Sequence, residues 1–198
     1  MSRPVYIAYA PDQGQNRLWG IPVLGTAIRS ILVIPQAIVL SLLAVFVSPG
    51  ILLCWIPVLF RGRQAGWAYI LFGGYLRLST RIALYVVLMT GAYPPFGPGG
   101  EHTVTVTYDE TERQNRLWGI PVLGMAIRLV LLIPHLVALW FVGVIAALAT
   151  LFSWLPVLLT GHTAGWVVRW VGGYYRWTIR VSSYALLLTA KYPPFSLS

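Results

Sequence analysis

The sequence predicts an all-α integral membrane protein made of two tandem homologous units. Three observations carry this. Residues 15–29, QNRLWGIPVLGTAIR, return at residues 114–128 as QNRLWGIPVLGMAIR, with Thr26 against Met125 the single difference. The repeat distance is half the chain, so the protein is two copies of one unit, residues 1–99 and 100–198. Of 198 residues, 58% are hydrophobic and 10% are charged, too apolar for a polar surface to cover a domain of this size. Long stretches also lack acidic and basic residues: 30–60 has none, and its copy 129–168 has only His135 and His162 as titratable groups.

Each unit opens with a segment of strand character. Residues 5–9 are rich in aromatic and β-branched side chains, and residues 103–108 alternate as a half-exposed strand does. All five acidic residues, Asp12, Glu101, Asp109, Glu110 and Glu112, lie in or beside these segments, which places them in water. The two strands are expected to pair as a small surface ribbon. No cleavable signal is expected at residues 1–15, which lack an apolar core.

The repeated stretch follows. Pro22 and Pro121 suit the first turn of a helix, and Trp19 and Trp118 suit the headgroup level. Arg17, Arg29, Arg116 and Arg128 then mark the membrane interface. A helix of 31 residues, the length of 30–60, spans about 46 Å against a hydrocarbon core of about 30 Å. That is too long for one upright crossing and short for two, leaving a hairpin or one long tilted helix. Ser48-Pro49-Gly50 breaks the first run near its middle, whereas the second has Ala147-Leu148-Ala149 there. Arg29 before the first run, and Arg61 and Arg63 after it, place both its ends on one side and favour the hairpin.

Beyond the Gly62 and Gly161 turns, Arg77 and Arg81 share a helix face, as do Arg176 and Arg180. Two arginines near mid-bilayer would cost roughly 2.5–3.5 kcal/mol each, so this helix is expected to lie in the interface with a basic face. The adjacent glycines Gly73-Gly74 and Gly172-Gly173 permit close packing of another helix or of the other unit. Each unit closes with Tyr-Pro-Pro-Phe, at 93–96 and 192–195, and Gly97-Pro98-Gly99-Gly100 links the two.

Several of these motifs, read in order, carry a resemblance. They are Ile-Pro-His at 133–135, Leu-Leu-Thr-Gly at 158–161, Tyr-Arg-Trp with a second arginine at 175–180, and Leu-Leu-Leu-Thr-Ala-Lys-Tyr-Pro-Pro-Phe at 186–195. Together they resemble an uncharacterised family of bacterial membrane proteins, known as a domain of unknown function and often found in tandem copies. The resemblance implies a multi-pass protein of the bacterial cytoplasmic membrane with no assigned reaction. The first unit departs from the pattern, with Gln36 at the position of His135 and Leu78 at that of Trp177.

The chemistry points away from catalysis. No Ser/His/Asp grouping occurs, Cys54 has no basic neighbour, and no ligands fall at metal spacing, so neither an enzyme nor a cofactor is expected. His135 in its apolar helix is a minor candidate for a pigment or haem ligand, against a histidine that bonds a backbone carbonyl. The net charge of +9 sits on arginines that flank apolar runs, which suits lipid rather than nucleic acid. Arg17, Arg29, Arg77, Arg81, Arg116, Arg128, Arg176 and Arg180, kept in both copies, are the candidate headgroup or anion sites. The expected function is a non-catalytic accessory or scaffold subunit that binds phospholipids and other membrane subunits. An anion path along Arg77, Arg81, Arg176 and Arg180, or membrane shaping by wedge-like hairpins, are the alternatives.

Overall fold

A computed structural model describes the backbone of residues 5–9 and the whole of residues 14–97 and 102–197. Asp12, Glu101 and the linker residues Pro98, Gly99 and Gly100 lie outside the described residues. The strands β1 (Val5–Tyr9) and β2 (Val104–Tyr108) pair antiparallel, with Ile7 opposite Val106 at the centre. Ile7 and Val106 hold the same place in the two repeats, so a local two-fold axis passes between them. The expected ribbon is present, and it joins the units. Val104 and Val106 alternate inward along β2, as the two-residue period of a strand requires.

A single 3-10 turn follows each strand, at Arg17–Gly20 and Arg116–Gly119. The side chains of Asn16 and Asn115 cap these turns, accepting from the Leu18 and Leu117 N–H groups at 3.0 Å. The apolar run is then helical throughout. In the first unit it comprises α1 (Leu24–Leu32), α2 (Ile34–Leu53) and α3 (Trp55–Arg61), separated at Val33 and Cys54. After the Gly62 turn come α4 (Gly66–Ala68), a π-helical turn Tyr69–Gly73 and α5 (Gly74–Val86). The second unit repeats this as α6 (Leu123–Phe152), α7 (Trp154–Thr160), α8 (Gly165–Val167), a π-helical turn Val168–Gly172 and α9 (Gly173–Ala185).

The expected fold-back at Ser48-Pro49-Gly50 does not occur. Pro49 sits inside α2. A proline removes one helical N–H, but flanking turns hold the helix, and the Ser48 hydroxyl donates to the Ala44 carbonyl at 3.0 Å. The runs Ile34–Arg61 and Leu123–Thr160, 28 and 38 residues, are each long and apolar enough to cross a membrane. The hairpin forms instead between the whole run and the basic helix. Gly62 and Gly161 end the runs in the left-handed conformation, at φ 62° and 75°, and turn the chain back. α5 then returns along the run: Phe72 lies against Gly50, and the Tyr93 hydroxyl donates to the Leu32 carbonyl at 2.8 Å.

The two hairpins lie antiparallel, each placing its turn at the open end of the other. The Gln15 N–H donates to the Gly161 carbonyl at 2.7 Å, and the Gln114 N–H to the Gly62 carbonyl at 2.8 Å. Gly20 lies against the backbone of Leu158, and Gly119 against that of Leu59. β2 runs beside α5, from Thr103, whose hydroxyl bonds that of Thr90 at 3.0 Å, to Tyr108, whose ring covers Gly73. Among the described residues no large hydrophobic side chain of α5 or α9 is exposed, whereas Ile38, Leu42, Phe46, Val137, Phe141 and Leu148 of the runs are. α5 and α9 are thus covered by the runs and the ribbon, and most of the outer apolar surface belongs to the runs, joined by Trp67, Ile70 and Trp166 at the start of the return limbs.

A Cβ at Gly20 would collide with the backbone of Leu158, and one at Gly119 with that of Leu59. Gly20→Ala and Gly119→Ala are each expected to destabilise the protein by about 1–3 kcal/mol or more, because backbone rather than a side-chain tip must move. Gly66→Ala meets nothing within 4 Å and serves as control. Thermal unfolding in detergent reads the difference, and equal midpoints for Gly20→Ala and Gly66→Ala would contradict the packing.

Candidate functional site

Arg29 and Arg128 are completely buried. Arg29 Nη1 donates to the carbonyls of Tyr85 at 2.7 Å and Thr90 at 2.8 Å, and Nη2 donates to Gln15 Oε1 at 2.8 Å. Its guanidinium faces the rings of Trp19 and Tyr85, 5.0 and 4.5 Å from their centroids. Arg128 repeats the set with Tyr184, Thr189, Gln114, Trp118 and Tyr184's ring. The local chain explains the convergence. α5 ends at Val86, and Leu88, at φ 62°, turns the chain so that the Thr90 carbonyl comes to stand with that of Tyr85. A planar fork of donors meets several carbonyls at once, and a cation at a helix C-terminus complements the dipole. Burial lowers the pKa of Arg29 to about 10, which leaves it charged at neutral pH.

The glutamines extend this network between units. Gln15 Nε2 donates to the Leu88 carbonyl and to Thr163 Oγ1, both at 2.9 Å, and Thr163 belongs to the other unit. Arg29 and Arg128 therefore do not mark a headgroup surface. They hold each hairpin shut and tie it to its neighbour.

Arg77, Arg81, Arg176 and Arg180 are also turned inward, which corrects the expectation of an exposed interfacial basic stripe at these four positions. Arg77 lies over the Tyr108 ring at 5.8 Å, and Arg81 is buried with Nε donating to the Val104 carbonyl at 3.2 Å. Burial and the neighbouring Arg77 lower the Arg81 pKa. Arg176 and Arg180 donate to the Leu197 and Ser196 carbonyls at 3.1 and 3.3 Å. Gly73 of the Gly73-Gly74 pair admits the Tyr108 ring from the other unit, and Gly173 admits Leu197.

His135 sits in an aromatic cage. Its Nδ1 accepts from Trp177 Nε1 at 3.0 Å, Phe195 stacks on it at 3.8 Å, and Tyr192 stands at 4.8 Å. The ring is fully buried, and its other nitrogen, Nε2, has no hydrogen-bond partner among the described residues. Gln36, the counterpart, donates instead to the Pro94 carbonyl at 3.1 Å. The changes Gln36/His135 and Leu78/Trp177 are thus one change, since the second-unit pair is in contact. Among the described residues no group of His, Cys, Asp or Glu could hold a metal ion.

What remains at the surface gathers at the turn of the first hairpin. A cleft of about 670 Å³ is lined there by Arg61, Arg63, Gln64, Arg113, Gln114 and Arg116, with all four arginines exposed. Arg17, the counterpart of Arg116, is exposed at the other turn. Both arginines lay their stems along the turn glycine of the opposite unit, with Cγ 3.5 Å from a Cβ built there. Comparison of the two copies passes over Arg61, Arg63 and Arg113, because their counterparts are Thr160, His162 and Gly14. The available signal was the pair Arg61 and Arg63 beside a helix-ending glycine. Their convergence with Arg113 depends on the antiparallel arrangement of the units.

Fold and site together define a tandem-repeat helical protein with an arginine-closed hairpin in each repeat. The chain belongs to the family described as domain of unknown function (DUF4389), whose model matches residues 24–97 and again 123–196. No curated protein and no solved structure matches it.

Removing either buried guanidinium would leave the Thr90 or Thr189 carbonyl and the facing Gln15 or Gln114 amide oxygen without a donor among the described residues. Arg29→Leu and Arg128→Leu are each expected to lower stability by about 3 kcal/mol or more. Arg29→Lys should recover only part, having no planar fork. Thermal unfolding of the purified variants checks this, and an unchanged midpoint for Arg29→Leu would contradict the role.

Proposed function

We propose that the protein is a non-catalytic membrane protein lying along one face of the bilayer. Its long helices hold it there, exposed arginines bind anionic phospholipid headgroups, and it serves as an accessory or scaffold subunit of a larger membrane complex. The course of β2 carries this reading. β2 runs beside α5, so a bilayer crossed by α5 would also be crossed by Thr103, Thr105 and Thr107 in an open two-stranded ribbon, with Asp109 and Glu110 next in the chain. Unpaired strand edges are not tolerated in hydrocarbon, where each backbone polar group needs a partner. The long runs, by contrast, expose apolar side chains and suit burial at the level of the acyl chains.

In this reading the local two-fold axis stands along the membrane normal, and both hairpin turns lie at headgroup depth on one side. Arg17, Arg116 and Arg169 are exposed and can pair with phosphate through parallel hydrogen bonds. The bacterial cytoplasmic membrane is the setting that the family resemblance implies. Membrane shaping is the second reading, favoured because two long apolar helices inserted in one leaflet expand that leaflet, and tubulation of vesicles would reveal it.

Sidedness tests the first reading. In a Cys54→Ser background, Arg61→Cys and His162→Cys place one thiol at each turn. A membrane-impermeant maleimide on sealed, uniformly oriented vesicles should label both, or neither until the membrane is opened. Labelling of one turn with protection of the other would show that the chain spans the bilayer.

A further inference from the structure

We infer that the cleft at the first hairpin turn binds a single ligand carrying two or more linked phosphate groups, whether on a lipid headgroup or free in solution. This deepens the headgroup reading above, and it rests on that reading for the lipid source alone. Arg61 and Arg63 come from the turn after α3, and Arg113 and Arg116 from the segment after β2, so two separate stretches bring four guanidiniums to one cavity. None of the four has an ion pair or hydrogen bond among the described residues. Like charges gathered with no ion pair among the described residues raise the energy of the empty site and favour an anion there.

A second observation points the same way. Gln64 lines the cleft and is only 6% exposed. Its Oε1 accepts from the Ala65 N–H at 3.0 Å, but its Nε2 donor has no partner among the described residues. A buried amide nitrogen left unbonded is costly, so a ligand or its bound water is the expected acceptor. The counterpart in the other unit, Thr163, donates to the Leu88 carbonyl at 2.8 Å and accepts from Gln15.

The duplicate acts as an internal control. The same turn in the second unit has Thr160, His162, Thr163 and Gly14 where the cleft has Arg61, Arg63, Gln64 and Arg113. Its backbone contacts are equivalent, since Gln15 to Gly161 and Gln114 to Gly62 bond at 2.7 and 2.8 Å. The turn therefore folds without these arginines, and their presence on one side only is not a demand of the fold. A lone phosphate engages one or two guanidinium forks, whereas two linked phosphates match four. The cleft, at about 670 Å³, has room for them.

The variant Arg61→Thr, Arg63→His, Arg113→Gly gives the first turn the second turn's residues at the three arginine positions, and the variant Gly14→Arg, Thr160→Arg, His162→Arg does the reverse. Each full-length protein is placed in phosphatidylcholine nanodiscs and titrated calorimetrically with inorganic pyrophosphate and orthophosphate. Cardiolipin and phosphatidylglycerol retention is read by native mass spectrometry. Wild type should bind pyrophosphate at least tenfold tighter than orthophosphate, or retain cardiolipin in preference to phosphatidylglycerol. The first result assigns a free ligand and the second a lipid. The first variant should lose that binding tenfold or more with an unchanged unfolding midpoint, and the reverse variant should gain a second equivalent. Binding that is equal in wild type and the first variant, or absent from wild type for both probes, overturns the proposal. Pyrophosphate binding without retention of any anionic lipid would sink the headgroup reading and leave the cleft standing.

Discussion

The structure depends on burying a guanidinium at the open end of each hairpin. Arg29 and Arg128 bring together a helix end, the chain that follows it, and the glutamine of the repeated stretch. A cation in such a place is stable only if oriented dipoles replace its hydration, and the carbonyls at the ends of α5 and α9 provide them. The requirement is reciprocal. Without the arginine, the Thr90 and Thr189 carbonyls would have no donor among the described residues. Because Gln15 also bonds Thr163 and Gly161, closing one hairpin positions the turn of the other. The family match begins at residues 24 and 123, so Gln15 and Gln114 lie just outside it, while Arg29 and Arg128 lie within.

That coupling fixes the antiparallel arrangement, and the arrangement governs how the molecule can meet a membrane. Each unit has an even number of long helical limbs, yet the linking chain must pass from the open end of one hairpin to the turn end, where the second unit starts. It does so as β2, an extended segment rich in threonine. Helices of spanning length are therefore combined with a connection that hydrocarbon would not accept. The in-plane placement proposed above, with the runs within one leaflet and the return helices and ribbon toward water, would reconcile the two.

Much of this fold was legible in the sequence. The duplication, the pairing of the two strands and the turns at Gly62 and Gly161 all follow from residue patterns with direct physical meaning. Pro49 misled because a proline breaker was weighed by itself, while the α-helical bonds on either side sustain α2. The paired arginines at 77, 81, 176 and 180 misled because helix periodicity gives a shared face but not what covers it; β2 covers one pair and the chain near Leu197 the other. Arg29 reads as a boundary marker because a sequence does not reveal that the Tyr85 and Thr90 carbonyls return to meet it. The cleft was hidden for the opposite reason: three of its four arginines occur in one copy only, and retention between copies cannot find what the copies do not share.

The central claim is that the long helices lie in the membrane plane. Spin labels placed one at a time along the exposed face of α6, from Ile133 through Phe152, would measure depth by the relative accessibility of oxygen and a polar relaxation agent. In-plane burial predicts one mean depth along the helix, modulated with a period of about 3.6 residues. A steady passage from one interface through the bilayer centre to the other would contradict it.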